Sequence, residues 1–210
     1  MLPHSNLNYT GATKACLAVA ILGAILMLAS LLAGKTALFL LLNGDGGIII
    51  DQFFSAITNF GDGAIWISWF VYFIFFGKKR LLPALTASLV FSTIFSQVPK
   101  KIFGEPRPLK AIVDQLTVHY VKGVEVHSYN SFPSGHTATA FAFALLCTLL
   151  FPKKIVIWVA FLMAVLVGYS RIYLGQHFPL DVGGGMVAAA GSVLLAMTFQ
   201  QYFDQKTPGV

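Results

Sequence analysis

Six stretches of this chain, 15–34, 63–77, 81–99, 137–151, 155–170 and 182–203, contain no Asp, Glu, Lys, Arg or His residue. They restrict the fold more than any other feature. A helix needs about 20 apolar residues to cross the ~30 Å hydrocarbon layer of a bilayer, and the longer runs meet that length. The shorter ones are expected to extend into flanking polar sequence. With 57% hydrophobic and 10% charged residues, the 210-residue chain holds more apolar surface than a water-soluble core can hide. The expected fold class is all-α, an integral membrane bundle of six transmembrane helices forming a single domain over residues 1–210, with no internal repeat. The first run has features of a secretory signal, with Lys14 before it and Ala33-Gly34 after it. Its length exceeds the usual apolar region of about 7–15 residues, so a retained helix is expected.

The net charge of +6 does not indicate nucleic acid, because the basic residues come in small clusters between apolar runs and form no continuous basic face. Membrane lipids with anionic headgroups are the expected partners. Cys16 and Cys147 both lie inside apolar runs and read as packing residues, with no disulfide framework or multi-cysteine metal site.

Between the first two runs, Asn43-Gly-Asp-Gly-Gly47 reads as a turn and Ile48-Ile-Ile-Asp-Gln-Phe-Phe54 as an interfacial helix. Two connections are short and basic, Gly77-Lys-Lys-Arg80 and Phe151-Pro-Lys-Lys154. Six crossings put both of them, and both termini, on one side. They put the connections 99–135 and 171–181 together on the other. Short basic loops mark the cytoplasm, so the long connections are expected to face the periplasm or exterior. A raw count of Lys and Arg is evenly divided between the sides, and the orientation rests on the two short loops. The aromatics of the second run, Trp66, Trp69, Phe70, Tyr72 and Phe73, read as lipid-facing or interfacial bulk.

The outward connections carry three clusters of chemically capable residues. Lys100-Lys-Ile-Phe-Gly-Glu-Pro-Arg-Pro108 gathers cations at the end of the third run. It reads either as interfacial anchoring or as an anion site. In Pro133-Ser-Gly-His136, Ser134 suits a helix cap, and the first free N–H groups of the fourth helix point outward with the positive end of its dipole. Gly135 lets an anion approach the backbone, and His136 can donate a proton. An ordinary capped helix with an interfacial histidine is the plain alternative. In Ser170-Arg-Ile-Tyr-Leu-Gly-Gln-His-Phe-Pro-Leu-Asp181, His177 and Asp181 stand four apart. If a helix begins near Pro179, the carboxylate can fix one imidazole nitrogen and leave the other as a nucleophile, or the two can form a structural pair. Arg171 supplies a planar cation suited to phosphate oxygens. Parity brings all three clusters to one membrane face.

The three motifs together resemble the type 2 phosphatidic acid phosphatase superfamily, which also includes acid phosphatases and vanadium haloperoxidases. Its signature is a lysine, six residues and Arg-Pro; then Pro-Ser-Gly-His; then Ser-Arg, five residues, His, three residues and Asp. Here Lys100 precedes Arg107-Pro108, Pro133-Ser-Gly-His136 follows, and Ser170-Arg171, His177 and Asp181 complete the pattern without departure across a motif-bearing core of 100–181. The resemblance implies that His177 attacks phosphorus to form a phosphohistidine, oriented by Asp181, while His136 protonates the leaving oxygen and later activates water. Lys100, Arg107, Arg171, Ser134 and the Gly135 N–H would hold the phosphoryl oxygens. No metal and no cofactor are implied.

The function expected on this basis is hydrolysis of a lipid phosphate or diphosphate at the outer interface of a bacterial inner membrane. Candidate substrates are undecaprenyl diphosphate, phosphatidylglycerol phosphate, phosphatidic acid and the phosphates of lipid A. A lipid phosphotransferase using the same intermediate and a non-catalytic lipid-phosphate carrier are the alternatives. A haloperoxidase is disfavoured, since six apolar runs suit a lipid substrate. The stretch Lys110–Asn130, with His119, Tyr120, Lys122, Glu125 and His127, reads either as a headgroup selector or as a solvated loop. Gly183-Gly-Gly185 reads as close helix packing or a hinge.

Overall fold

The computed structural model describes residues 7–76 and 79–206, so Gly77 and Lys78 of the first basic connection, like both chain ends, lie outside the described residues. Among the described residues there are nine α-helices and no strand. They are α1 (Tyr9–Leu32), α2 (Lys35–Leu42), α3 (Ile48–Ile57), α4 (Ile65–Phe75), α5 (Leu82–Phe103), α6 (Pro108–Ala111), α7 (Gly135–Leu150), α8 (Lys154–Tyr173) and α9 (Pro179–Lys206).

Local chemistry sets several of these boundaries. The Asn8 side chain caps α1 by accepting from Gly11 N at 2.9 Å. Gly104 closes α5 at φ 57°, a left-handed conformation that glycine adopts without steric cost. Proline opens α6 and α9, where a missing N–H costs nothing. The chain is irregular over 43–47, where Gly47 N donates to Asp45 Oδ1 at 2.7 Å, and the helix expected from Ile48 is present.

Four segments have the length and apolar composition to cross a membrane: α1, the stretch Lys79–Ala111 that contains α5, α8 and α9. Two further apolar helices are shorter, α4 with 11 residues and α7 with 16. The six uncharged runs therefore appear as six apolar helices, four of them of spanning length. Enclosure accounts for α7, because every residue from Thr137 to Leu150 is buried, and a helix apolar all round belongs inside a bundle.

The central helix α9 packs against α1, α5 and α7. Its three consecutive glycines serve packing. A Cβ on Gly183 would stand 2.6 Å from Gly23 O of α1, one on Gly184 2.4 Å from the Phe132 ring, and one on Gly185 2.6 Å from Ser134 O. Backbones this close require small residues. Two aromatics of the second uncharged run depart from the lipid-facing reading, since Trp66 and Phe73 are almost fully buried and the Trp66 ring centre lies 4.6 Å from that of Phe143 of α7, while Tyr72 stays exposed and Trp69 and Phe70 are half-buried.

The bundle has two distinct ends. At one, Arg80 Nε pairs with Asp204 at 2.8 Å, Tyr9 Oη donates to Asp204 at 3.5 Å, and Asn8 N donates to Leu149 O at 3.1 Å. At the other, Lys35 pairs with Glu105 at 3.0 Å, and Ser134 N donates to Asp181 O at 2.9 Å. The two basic connections thus share one end, and the connections 99–135 and 171–181 share the other.

Candidate active site

The site is assembled where α5, α7, α8 and α9 meet at that second end. The last turn of α5 delivers Lys100, and the left-handed Gly104 turns the chain so that Arg107 precedes α6. Arg107 is nearly fully buried and held by several hydrogen bonds. Its backbone N donates to Ser128 O at 2.9 Å, its Nε to Tyr129 O at 3.1 Å, and its Nη1 to Gln176 Oε1 at 3.0 Å. Gln176 in turn donates to Glu125 O at 2.8 Å, folding the 110–130 stretch back over the site.

Ser134 caps α7, its hydroxyl taking 3.4 Å and 2.9 Å hydrogen bonds from Thr137 N and Thr137 Oγ1. The first turn of α7 then presents Gly135 and His136. Lys100 Nζ lies only 3.7 Å from where a Cβ on Gly135 would stand, so this bare backbone faces the lysine directly.

Arg171, in the last turn of α8, donates from Nη1 to Thr58 Oγ1 at 2.6 Å, while its buried Nε has no partner. An unpaired guanidinium N–H inside a protein is costly unless something else accepts it, which makes it a ready donor to an anion. His177 follows in the short link between α8 and α9 and is 1% exposed. Its Nδ1 stands 3.4 Å from Asp181 Oδ2, which pairs the two residues as their spacing suggested but without a hydrogen bond between them. That oxygen accepts from Ser131 Oγ and from Phe178 N at 2.9 Å. Nε2 is therefore the ring nitrogen left for the cleft. Burial, followed by the charges of Arg107, Arg171, Lys100 and His136, holds the His177 pKa well below the ordinary histidine value, so the ring is neutral.

A cleft of about 660 Å³ brings Lys100, Arg107, Gly135, His136, Arg171 and His177 onto one surface. Ser134 and Asp181 do not line it; each is buried immediately behind a residue that does. Glu125 and His127 reach the rim, whereas His119 does not. His119 Nε2 lies 3.0 Å from Asp51 Oδ1 and its backbone N donates to Asn43 at 2.8 Å. Among the described residues, Asp45, Asp51 and His119 make a grouping of metal-ligand type, and none of them lines the cleft.

Sequence reasoning missed the residues that hold the site residues: Gln176 on Arg107, Thr58 on Arg171 and Ser131 on Asp181. Two of them had a signal in their positions. Gln176 falls inside the spacer before His177, and Ser131 stands three residues before Ser134. Thr58, 113 residues from Arg171, had none.

An all-helical bundle of apolar helices, with two buried arginines, a half-buried lysine and two histidines around one cleft at its end, fits the family named from the motifs. The PAP2 superfamily model matches residues 80–205, and the chain belongs to that superfamily. The crystal structure of Aquifex aeolicus LpxE superposes with a TM-score of 0.65 at 31% identity, over 77% of this chain and 93% of that one. The lipid A 4'-phosphatase of Porphyromonas gingivalis is 31% identical over 79% of this chain and 71% of its own length. The undecaprenyl-diphosphatase BcrC of Bacillus subtilis is 33% identical over 52% of this chain and 51% of its own. The chain spans about half the length of the first curated relatives it matches.

Proposed function

We propose that this chain is an integral membrane phosphatase that hydrolyses a lipid phosphate or diphosphate through a phosphohistidine, without a metal ion or other cofactor. The carrying observation is the convergence of His177, backed by Asp181, with His136, Lys100, Arg107 and Arg171 on one cleft. The names of the relatives, lipid A phosphatases and undecaprenyl-diphosphatases among them, support a lipid substrate.

In the first step His177 Nε2 attacks phosphorus, an N–P bond forms, and the bond to the leaving oxygen breaks as His136 delivers a proton. Imidazole becomes cationic as it attacks, and Asp181 beside Nδ1 stabilises that charge. Lys100, Arg107 and Arg171 neutralise the phosphoryl oxygens as charge builds on them, and the Gly135 N–H adds a donor at the positive end of α7. Ser134 serves through its cap, which directs those free N–H groups at the cleft. In the second step His136 takes a proton from water, which attacks phosphorus, releasing phosphate and restoring His177.

The chain is read as one six-crossing domain over residues 1–210 in a bacterial inner membrane, with α4 and the enclosed α7 completing the count. Its two basic connections and both termini face the cytoplasm, and the cleft opens at the outer interface, where a lipid tail stays in the bilayer. Phosphate release by detergent-purified protein from a panel of lipid phosphates in EDTA tests the proposal. Release by the wild type that is abolished in His177→Ala is expected. Equal release by both proteins would refute His177 as nucleophile.

A further inference from the structure

Below Lys100, α5 turns a row of hydroxyl and amide side chains into the cleft. Gln97, Ser96, Thr93 and Ser92 all line it, spaced along one helical face, with Leu89 and Trp66 further in. At 1.5 Å per residue this polar wall runs from about 4 to about 12 Å beneath the lysine, down a helix of spanning length. Ser96 Oγ donates to Thr93 O at 3.2 Å. Among the described residues the side chains of Ser92, Thr93 and Gln97 have no hydrogen-bond partner. Polar side chains within an apolar span are costly, and they persist where they face a cavity or a ligand that can satisfy them.

The position of this wall bears on what is attached to the phosphate. The cleft that holds Lys100, Arg107 and Arg171 continues along these turns of α5, and a leaving group that follows it runs past the polar wall. In a polyprenyl monophosphate everything beyond the phosphate is hydrocarbon, whereas the diphosphate interposes one further phosphate before its hydrocarbon. Such a chain would cover the four polar side chains and satisfy none of them. In an acylated glycerol or acylated sugar phosphate the next atoms are ester, amide, ring or hydroxyl oxygens, which pair with these donors, and the acyl chains then meet Leu89 and Trp66.

We infer that this polar furrow selects lipids whose phosphate sits on an oxygen-rich backbone, an acylated glycerol or acylated sugar, over polyprenyl phosphates, with Ser92, Thr93, Ser96 and Gln97 as the specificity determinants. The assignment rests on the phosphatase reading above.

The test holds the phosphate constant. Phosphate release in mixed micelles is measured for three monophosphates, phosphatidic acid, an acylated glucosamine 1-phosphate and a polyprenyl monophosphate, with polyprenyl diphosphate as a fourth arm. The wild type should favour the glycerol or the sugar substrate over the polyprenyl monophosphate by about tenfold in kcat/KM, and the ranking of the first two identifies the backbone. Thr93→Val combined with Gln97→Leu should cut that preference at least about fivefold, through loss on the oxygen-rich substrates alone. Retained polyprenyl turnover shows that the variant is folded, and where it is lost, Ser92→Ala alone is read in the same way. Equal or better wild-type turnover of the polyprenyl monophosphate, or a ratio that these variants leave unmoved, would overturn the selection. No release from any of the four lipids is a different outcome, which refutes the phosphatase reading and removes the basis of the furrow assignment.

Discussion

Replacing Gln176 by leucine should impair the enzyme although the residue performs no chemistry. Arg107 Nη1 donates to Gln176 Oε1 at 3.0 Å and to Gln176 O at 3.4 Å, and Nε donates to Tyr129 O at 3.1 Å. Leucine keeps the volume and both main-chain acceptors but removes the shortest of the three. A hydrogen bond to a charged group contributes about 1.5–3 kcal/mol, and the two surviving acceptors place the expected loss at the lower end, about 1.5–2 kcal/mol. Converted at 1.4 kcal/mol per decade, that is a fall of about 10- to 30-fold in kcat/KM. The charge of Arg107 remains, so substrate binding should persist and the fall should appear mainly in kcat. Gln176→Glu restores the acceptor but adds a negative charge beside the phosphate site, and should raise KM instead. The assay is steady-state phosphate release, with thermal unfolding in detergent as a control on folding. A Gln176→Leu protein within about twofold of wild type in kcat/KM, at an unchanged thermal midpoint, would refute the positioning role.

Three further outcomes follow from the same geometry. Gly135→Ala puts a methyl group 3.7 Å from Lys100 Nζ without backbone strain, so the fold should survive while phosphate loses its approach to the backbone; an unchanged inhibition constant for vanadate or inorganic phosphate would contradict this. Because burial and neighbouring cations depress the His177 pKa, the nucleophile stays neutral on acidification, and the acid limb attributable to it in kcat/KM should fall below pH ~6.5. Lys100→Gln removes one of those cations, so the limb should move to higher pH even though overall activity is low, and a limb that moves the other way would refute the assignment. Gly185→Ala would bring a methyl group 2.6 Å from Ser134 O and 2.9 Å from Thr137 Cβ, contacts relieved only by moving α7 from α9 at about 1–3 kcal/mol. It should lower both the thermal midpoint and activity, and unchanged values of both would show that the α7–α9 contact does not position the site.

The parts of the site legible in the sequence are those whose chemistry is local. The start of α7 could be read because a serine hydroxyl before a run of helix formers has one obvious use. The four-residue step from His177 to Asp181 could be read because Pro179 marks where a helix begins. Illegible were the relations between distant segments of ordinary composition. Thr58 is an unremarkable residue between a short amphipathic helix and a glycine, and its use emerges only when α3 and the 58–61 turn close against α8 and its hydroxyl meets Arg171. The aromatic helix α4 is apolar on every face, so its sequence contains no cue that Trp66 and Phe73 turn inward. The same holds for the polar row on α5. Ser92, Thr93, Ser96 and Gln97 in an apolar run look like residues a membrane helix merely tolerates. Only when Lys100 above them and His177 opposite define where a phosphate sits does their one-sided spacing acquire a direction, from the reacting phosphorus toward whatever the phosphate is attached to.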